Sequence, residues 1–420
     1  MINNTSEKKR FYGWTIVVSL WIIYFLNVGF PMYGGQTVNT FMADEMGFKR
    51  TILGLAFSLF NLFQGLPGPI IGYTIQKKGA RFSIALGSIL ILVSAIMMGY
   101  VVKSQWLFLL TFGVIAGVGV GFGTVVPVQT TVTQWFDRKR SRAMAITLTA
   151  SGFGGFVAAP LLTKVLSGTG KWNNCWLVVA AAALIDLIMV KNKPADIGQI
   201  PDGTSFSEEK ETKSNKKAVS YIPYSTKDEW TVKEALKNSK CWLTLLAAIG
   251  LYIPYMMLIS HGIACLGDHG ISAATAAFSI SLITATSIAG RLLGGELCNR
   301  MPARFVWAGS LVVLLLGSVF LMTATGVVGM VLYAVCTGIG FGASFVCMPV
   351  VFSSYFGAKI YSRLFGTLFP IITICSSISP TLAGYLFDAS GSYTSGFIMI
   401  IAFNVIGIVA SLLNTPPQKQ

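Results

Sequence analysis

Long apolar runs, rather than alternating apolar and polar positions, organise this chain. Runs long enough to cross a bilayer occur near 12–37, 51–75, 82–102, 107–134, 142–166 and 173–190, and again near 240–262, 272–297, 305–325, 327–354, 364–387 and 394–414. A hydrocarbon core about 30 Å thick needs about 20 apolar residues per helix. Each run therefore predicts one spanning helix, twelve in all. Several runs contain Gly or Pro, which membrane helices tolerate because neighbouring helices satisfy the freed backbone groups. One polar stretch, 192–238, separates six runs from six. It contains "SFSEEKETKSNKK" and can bury no core, so it predicts a flexible linker with a short surface helix near 226–236.

Composition changes the picture only by sharpening it. Of 420 residues, 54% are hydrophobic and 11% charged, with a mean hydropathy of +0.68. Soluble domains carry about 25% charged residues. A soluble enzyme and a disordered chain are both excluded. The net charge of +15 would suit nucleic acid if it were spread at random, and it is not. With the N-terminus in the cytoplasm, 25 of the 31 Lys and Arg fall in inside segments and five in outside loops. That asymmetry is the positive-inside pattern of a membrane protein and accounts for the charge without nucleic acid. The basic N-terminus Lys8-Lys9-Arg10 precedes an apolar run too long for a signal-peptide core, so the run reads as a retained first helix. The seven cysteines show no C-x-x-C spacing, which argues against a disulfide framework or a zinc site.

The two sets of six helices echo each other. Gly72-x-x-x-Gln76-Lys77-x-x-x-Arg81 recurs as Gly295-x-x-x-Asn299-Arg300-x-x-x-Arg304, an offset of 223. Ser141-Arg142 recurs as Ser362-Arg363, and Gly117, Gly119, Gly121 recur as Gly338, Gly340, Gly342, both at an offset of 221. Duplicated halves around a midplane site are the architecture of secondary transporters. The glycines allow close helix contact, as do Gly152, Gly154 and Gly155. They do not form a phosphate loop, since no strand precedes 117–123 and no lysine follows. No spacing of nucleophile, base or acid suggests an enzyme.

Arg291 is the one Lys or Arg inside a predicted span. A charge there is costly unless it faces a cavity or a partner, so it is a functional residue by default. Ser287 and Thr284 lie four and seven residues earlier, on the same helical face. A guanidinium offers a planar fork that matches a carboxylate. Other polar side chains in the runs include Tyr24, Asn27 and Gln36, then Asn61, Gln64 and Gln129, then Tyr252 and Tyr255. Asn27 and Tyr255 are the expected companions of Arg291, with Tyr24 and Gln129 on the pathway. His261 is a candidate proton carrier near the outer end of span seven. His269 falls in an outer loop with no specific role.

Twelve spans, the 6+6 duplication and the two loop motifs resemble the major facilitator superfamily over essentially the whole chain. "FYGW" (11–14), "RKRSRAMA" (138–145), "KPADIGQIPDG" (193–203) and "GYLFDASGSY" (384–393) resemble its monocarboxylate porter and oxalate–formate antiporter branch. The resemblance implies an all-α membrane protein of two pseudo-symmetric six-helix bundles, 1–190 and 240–420, joined by a cytoplasmic linker at 191–239. It implies a carboxylate-binding arginine at Arg291, on the spacing to Gly295 and Asn299. It also implies gates at Gly72, Gln76, Lys77, Arg81, Asn299, Arg300 and Arg304. Gln76 and Asn299 stand where the family has an acid, which predicts neutral hydrogen bonds in place of ionic latches. Ser287 stands where the porters often place an acid, Met32 follows Phe30-Pro31 where some carry a lysine, and Ile372 stands where the oxalate exchanger has a second cation. One cation suits one carboxylate better than two.

The expectation is a secondary carrier of a small monocarboxylate, by proton symport or anion exchange, in the plasma membrane with both termini cytoplasmic. Its partners would be that substrate, protons under symport, and the bilayer. No cofactor, metal or nucleic acid is called for, and a monomer suffices. The alternatives are an exporter of amphipathic compounds and a transporter-like membrane sensor.

Overall fold

The computed structural model describes residues 11–48, 50–192, 221 and 223–419. The basic N-terminus 1–10 and the polar stretch 193–220 lie outside the described residues. Every regular element among the described residues is helical. That follows from the solvent: in hydrocarbon a chain must satisfy its own N–H and C=O groups, and a helix does so within one segment.

Helix α1 spans Gly13–Met46 and passes through a π-helical turn, Gly29–Gly34, around Pro31. Proline has no N–H to donate, and the wider turn absorbs the missing bond. The next helical trace, Ile52–Tyr100, has 49 residues, too many for one crossing. It is interrupted at 66–67 and broken at Gly79, whose φ of 83° and ψ of 161° are open to glycine and strained for other residues. The trace is therefore two spans, α2 (50–78) and α3 (80–100). The others are α4 (Gln105–Trp135), α5 (Arg140–Thr169), α6 (Trp172–Asn192), α7 (Ser239–Asp268), α8 (Ala273–Cys298), α9 (Ala303–Met322), α10 (Gly326–Phe356), α11 (Ala358–Ser390) and α12 (Thr394–Leu413). Twelve crossings result, as the apolar runs predict.

Helices α1–α6 and α7–α12 form two bundles built alike. In the first, Gly117 and Gly121 of α4 meet the backbone of Phe60 and Gln64 on α2, while Gly119 meets α3 at Ile91. In the second, Gly338 and Gly342 of α10 meet the backbone of α8 at Ile283 and Ser287, while Gly340 meets α9 at Leu314. The repeated glycine triplets thus do the same job twice. Each lets a central helix approach two neighbours at backbone distance, which lipid-embedded helices need because water supplies no drive to associate. Peripheral helices α6, α9 and α12 pack within their own bundle. Large apolar side chains such as Ile70, Trp106, Ile188 and Val328 are exposed around the rim, as a lipid-facing surface requires.

A short helix, Val232–Lys237, follows the polar stretch. Thr231 and Glu234 form its capping box. The segment lies against the second bundle: Trp230 packs edge-on to Phe356, the amide of Thr226 donates to the Ser354 carbonyl, and Lys359 pairs with Glu229.

Candidate functional site

Two seams join the bundles, α2 with α11 and α5 with α8. Both are tight at the face carrying the basic turns near 79, 138, 300 and 357. Gly72 meets the carbonyl of Ser362, and Gly68 meets that of Gly366. On the other seam, a Cβ on Gly295 would lie 2.8 Å from the carbonyl of Ser141. The two repeated motifs therefore pack against each other, glycine from one half on serine from the other, once in each direction. Arg142 adds a bidentate ion pair to Glu296, Nε to Oε2 at 2.7 Å and Nη2 to Oε1 at 3.0 Å. Arg140 reaches Ser353 at 3.4 Å, and the Tyr361 hydroxyl donates to Gln129 Oε1 at 2.7 Å. Towards the opposite face the seam helices expose Leu55, Phe156, Phe278 and Ile378. The structure is closed at its basic face.

These contacts revise two expectations. The expected neutral replacement of both latches does not hold on the α5–α8 seam. An ionic latch exists there, carried by Glu296 rather than by position 299. Asn299 donates to the Gly295 carbonyl of its own helix at 3.0 Å, while Arg300 adds to the Glu296 pair at 2.8 Å. Gln129 bonds across the halves at the closed face instead of beside Arg291. Of the other gate candidates, Lys77 lies over the Tyr73 ring at 5.0 Å and Arg304 over Phe305 at 4.6 Å. Arg81 is engaged within the protein. A cavity of about 670 Å³ opens at this face between Gln76 of α2, the capped segment around Trp230, and Lys359 and Arg363 of α11. None of its lining residues contacts Arg291, so it is a feature of the gate.

Arg291 sits about 10 Å in from the basic end of α8, where the tight part of its seam ends at Gly152. It is 3% exposed. Its Nη1 donates to the Leu148 carbonyl of α5 at 2.8 Å, and its Nε, also buried, has no acceptor. Among the described residues no carboxylate pairs with it. A buried cation with a single carbonyl partner is costly as it stands. Gly152 makes room for it: a Cβ there would lie 3.1 Å from Arg291 Nη1 and 2.6 Å from Ile288 Cγ1. Four tyrosines feel its charge, Tyr24 and Tyr33 of α1 and Tyr252 and Tyr255 of α7. The guanidinium lies over Phe345 at 5.4 Å, Phe345 stacks with Phe341 at 5.4 Å, and Phe341 stacks with Tyr255 at 3.5 Å.

The remaining candidates lie elsewhere or face otherwise. Asn27 donates to Ser88 at 3.3 Å and the Gly123 carbonyl at 3.5 Å, tying α1 to α3 and α4 rather than to Arg291. The Ser287 hydroxyl donates to the Thr284 carbonyl and that of Thr284 to the Ile280 carbonyl, both within α8. His261 Nε2 donates to the Pro380 carbonyl at 2.9 Å, which leaves Nδ1 for the Tyr393 hydroxyl at 3.4 Å. It therefore belongs to the corner of α7, α11 and α12. Tyr33, Phe341 and Phe345 are the neighbours the sequence pattern misses. Aromatic residues are common in every span, and their helical phase alone does not separate a site from a lipid face.

Comparisons with known proteins bear on the family and the fold. The sequence profile of the Major Facilitator Superfamily matches residues 20–366 and 244–420. Monocarboxylate transporter 13 of Bos taurus is 26% identical over 403 residues, covering 94% of this chain and 88% of that one. Human monocarboxylate transporter 14 is 22% identical over 468 residues, covering 96% and 90%. The solved fucose:proton symporter of E. coli superposes with a TM-score of 0.72 at 14% identity, over 97% of this chain and 100% of that one. At that identity the likeness establishes the fold alone.

Proposed function

The chain belongs to the major facilitator superfamily, and from that premise we propose that it is a secondary carrier of a small organic anion, a monocarboxylate above all. The observation that carries this is Arg291. It is buried at the junction of the two halves, has no acid paired with it among the described residues, and keeps Nε without an acceptor. A substrate carboxylate supplies both the missing charge and the missing acceptor. Tyr24 and Tyr33 from one half and Tyr252 and Tyr255 from the other then line the approach. A site shared between halves is what alternating access requires. The relatives named for monocarboxylate transport support the same substrate class.

The distribution of Lys and Arg supports a cytoplasmic basic face with both termini inside, and the membrane of this reading is the plasma membrane. Residues 1–190 and 240–420 are the two rocking bodies, joined through 191–239. In this reading the structure faces outward. To face inward it must separate Gly72 from Ser362, Gly295 from Ser141, Arg142 from Glu296, and Gln129 from Tyr361. Asn27 and His261 hold helices in place, and Ser287 and Thr284 shape the backbone under Arg291. The sole buried acid among the described spans, Asp186, is on α6, which packs within its own half. Without an acid beside Arg291, return of the unloaded carrier would move a bare cation. Exchange of one anion for another is therefore favoured over proton symport.

Uptake of labelled monocarboxylates into proteoliposomes tests this, with Arg291→Gln as control. A charge-assisted hydrogen bond is worth about 1.5–3 kcal/mol, so the variant should lose roughly 10- to 100-fold in apparent affinity. Internal unlabelled substrate should accelerate native uptake more than a pH gradient does. Equal uptake by both proteins removes Arg291 from the substrate site.

A further inference from the structure

The rings beside Arg291 carry a statement about what is attached to the carboxylate. Resting on the anion-carrier reading above, we propose that the substrate is an arylcarboxylate, a carboxylate bearing a flat aromatic group. Three features converge on this. The guanidinium donates through Nη1 to Leu148, lies over Phe345 and keeps Nε without an acceptor, so it still has donors to offer a carboxylate. A carboxylate on this cation would sit beside the first ring of the ladder. Beside it runs a ladder of parallel rings from two helices: Phe345, Phe341 and Tyr255, with successive interplanar angles of 20° and 7°. Tyr252 meets Phe341 edge-on at 89°, which closes one flank of the ladder.

A two- or three-carbon acid would engage Arg291 and leave this wall unused. Aromatic pairs prefer offset-stacked or edge-on contact and gain more than their area alone provides. Tyr255 and Tyr252 are each partly exposed, while Phe341 and Phe345 are buried behind them. The exposed end of the ladder is therefore a tyrosine, with a face for the ring and a hydroxyl for a polar substituent next to the carboxylate. The two halves contribute unequally. The ladder and Arg291 come from the second half, and the first half adds the Tyr33 ring, packed beside Gly155 of α5. Selectivity for the substrate body would then reside in α7 and α10.

The experiment compares pyruvate with phenylpyruvate on the purified full-length protein. Binding is read by calorimetry in detergent, and exchange by efflux from preloaded proteoliposomes. Native protein should bind phenylpyruvate up to about tenfold more tightly than pyruvate, one aromatic contact being worth about twofold to tenfold. Arg291→Gln and Arg291→Lys should weaken both ligands. Tyr255→Leu, which keeps the bulk, should weaken phenylpyruvate more than pyruvate and so shrink the ratio of their affinities by about twofold to tenfold. Arg291-dependent binding of pyruvate equal to or tighter than that of phenylpyruvate overturns the arylcarboxylate proposal and leaves the anion-carrier reading standing. Binding of both ligands that is indifferent to Arg291 overturns the two together. A phenylpyruvate preference that survives Tyr255→Leu and Phe341→Leu alike also overturns the proposal, because the ladder would not be its source.

Discussion

At the scale of single residues, the site is organised by space as much as by charge. A side chain at position 152 would crowd both Ile288 and the Arg291 nitrogen that donates to Leu148. Gly152→Val should therefore displace the guanidinium and push Ile288 from the seam. Overpacking of this kind costs typically about 1–3 kcal/mol. The expected outcome is a protein that still folds, with substrate affinity reduced roughly tenfold or more, seen by titrating ligand into purified variant. Unchanged affinity would mean that Leu148 does not hold Arg291 in the binding state. The sequence points to Arg291 because a lone charge in a span is conspicuous, and it points to Gly152 only as one small residue among many. Phe341 and Phe345 are invisible to that logic, since a phenylalanine in an apolar run carries no signal of its own.

At the scale of elements, the seams work by pairing repeats. The α5–α8 seam carries the Arg142–Glu296 pair, with the two side chains 54% and 32% exposed. An exposed pair is worth about 0–1 kcal/mol, so Glu296→Gln should move the balance of the closed and open basic face by about fivefold at most. Accessibility of cysteines introduced at the inner ends of α5 and α8 to an impermeant reagent should rise accordingly, and added salt should shrink the difference between native protein and variant. No rise would show that glycine packing alone holds the seam. The α2–α11 seam offers the reverse experiment. Gln76 lines a cavity with Lys359 and Arg363 of the other half. Gln76→Asp places a negative charge opposite those cations and should shift the population towards the state closed at the basic face. The same labelling assay should then report protection, and an unchanged labelling rate would count against a latch at this position.

At the scale of the whole molecule, closure at one end and separation at the other leave Arg291 where the seam ends. Alternating access needs the site there, because a residue deep in either contact would be exposed to one side only. Under the proposed function the same requirement accounts for Arg291 having no acid partner among the described residues. A permanent ion pair would satisfy the cation in every state and remove the gain that a substrate anion brings. On the proposed reading, substrate binding and conformational change would be coupled through one charge, and a ligand would bias the two states only by its differential affinity for them.

Element existence and the repeat structure were legible in the sequence alone. Lipid imposes length, apolarity and internal hydrogen bonding on each span, and those demands are written residue by residue. The lone arginine was legible for the same reason. What only the tertiary structure decided is which surfaces meet. Gly72 meeting Ser362, Glu296 rather than position 299 holding Arg142, Asn27 turning to Ser88, and three rings lining up beside Arg291 all depend on helix rotation and tilt. In a chain apolar on every side, the pattern of hydrophobicity does not distinguish a helix face against lipid from one against protein. Packing between helices makes that distinction, and it is a property of pairs of segments far apart in the sequence.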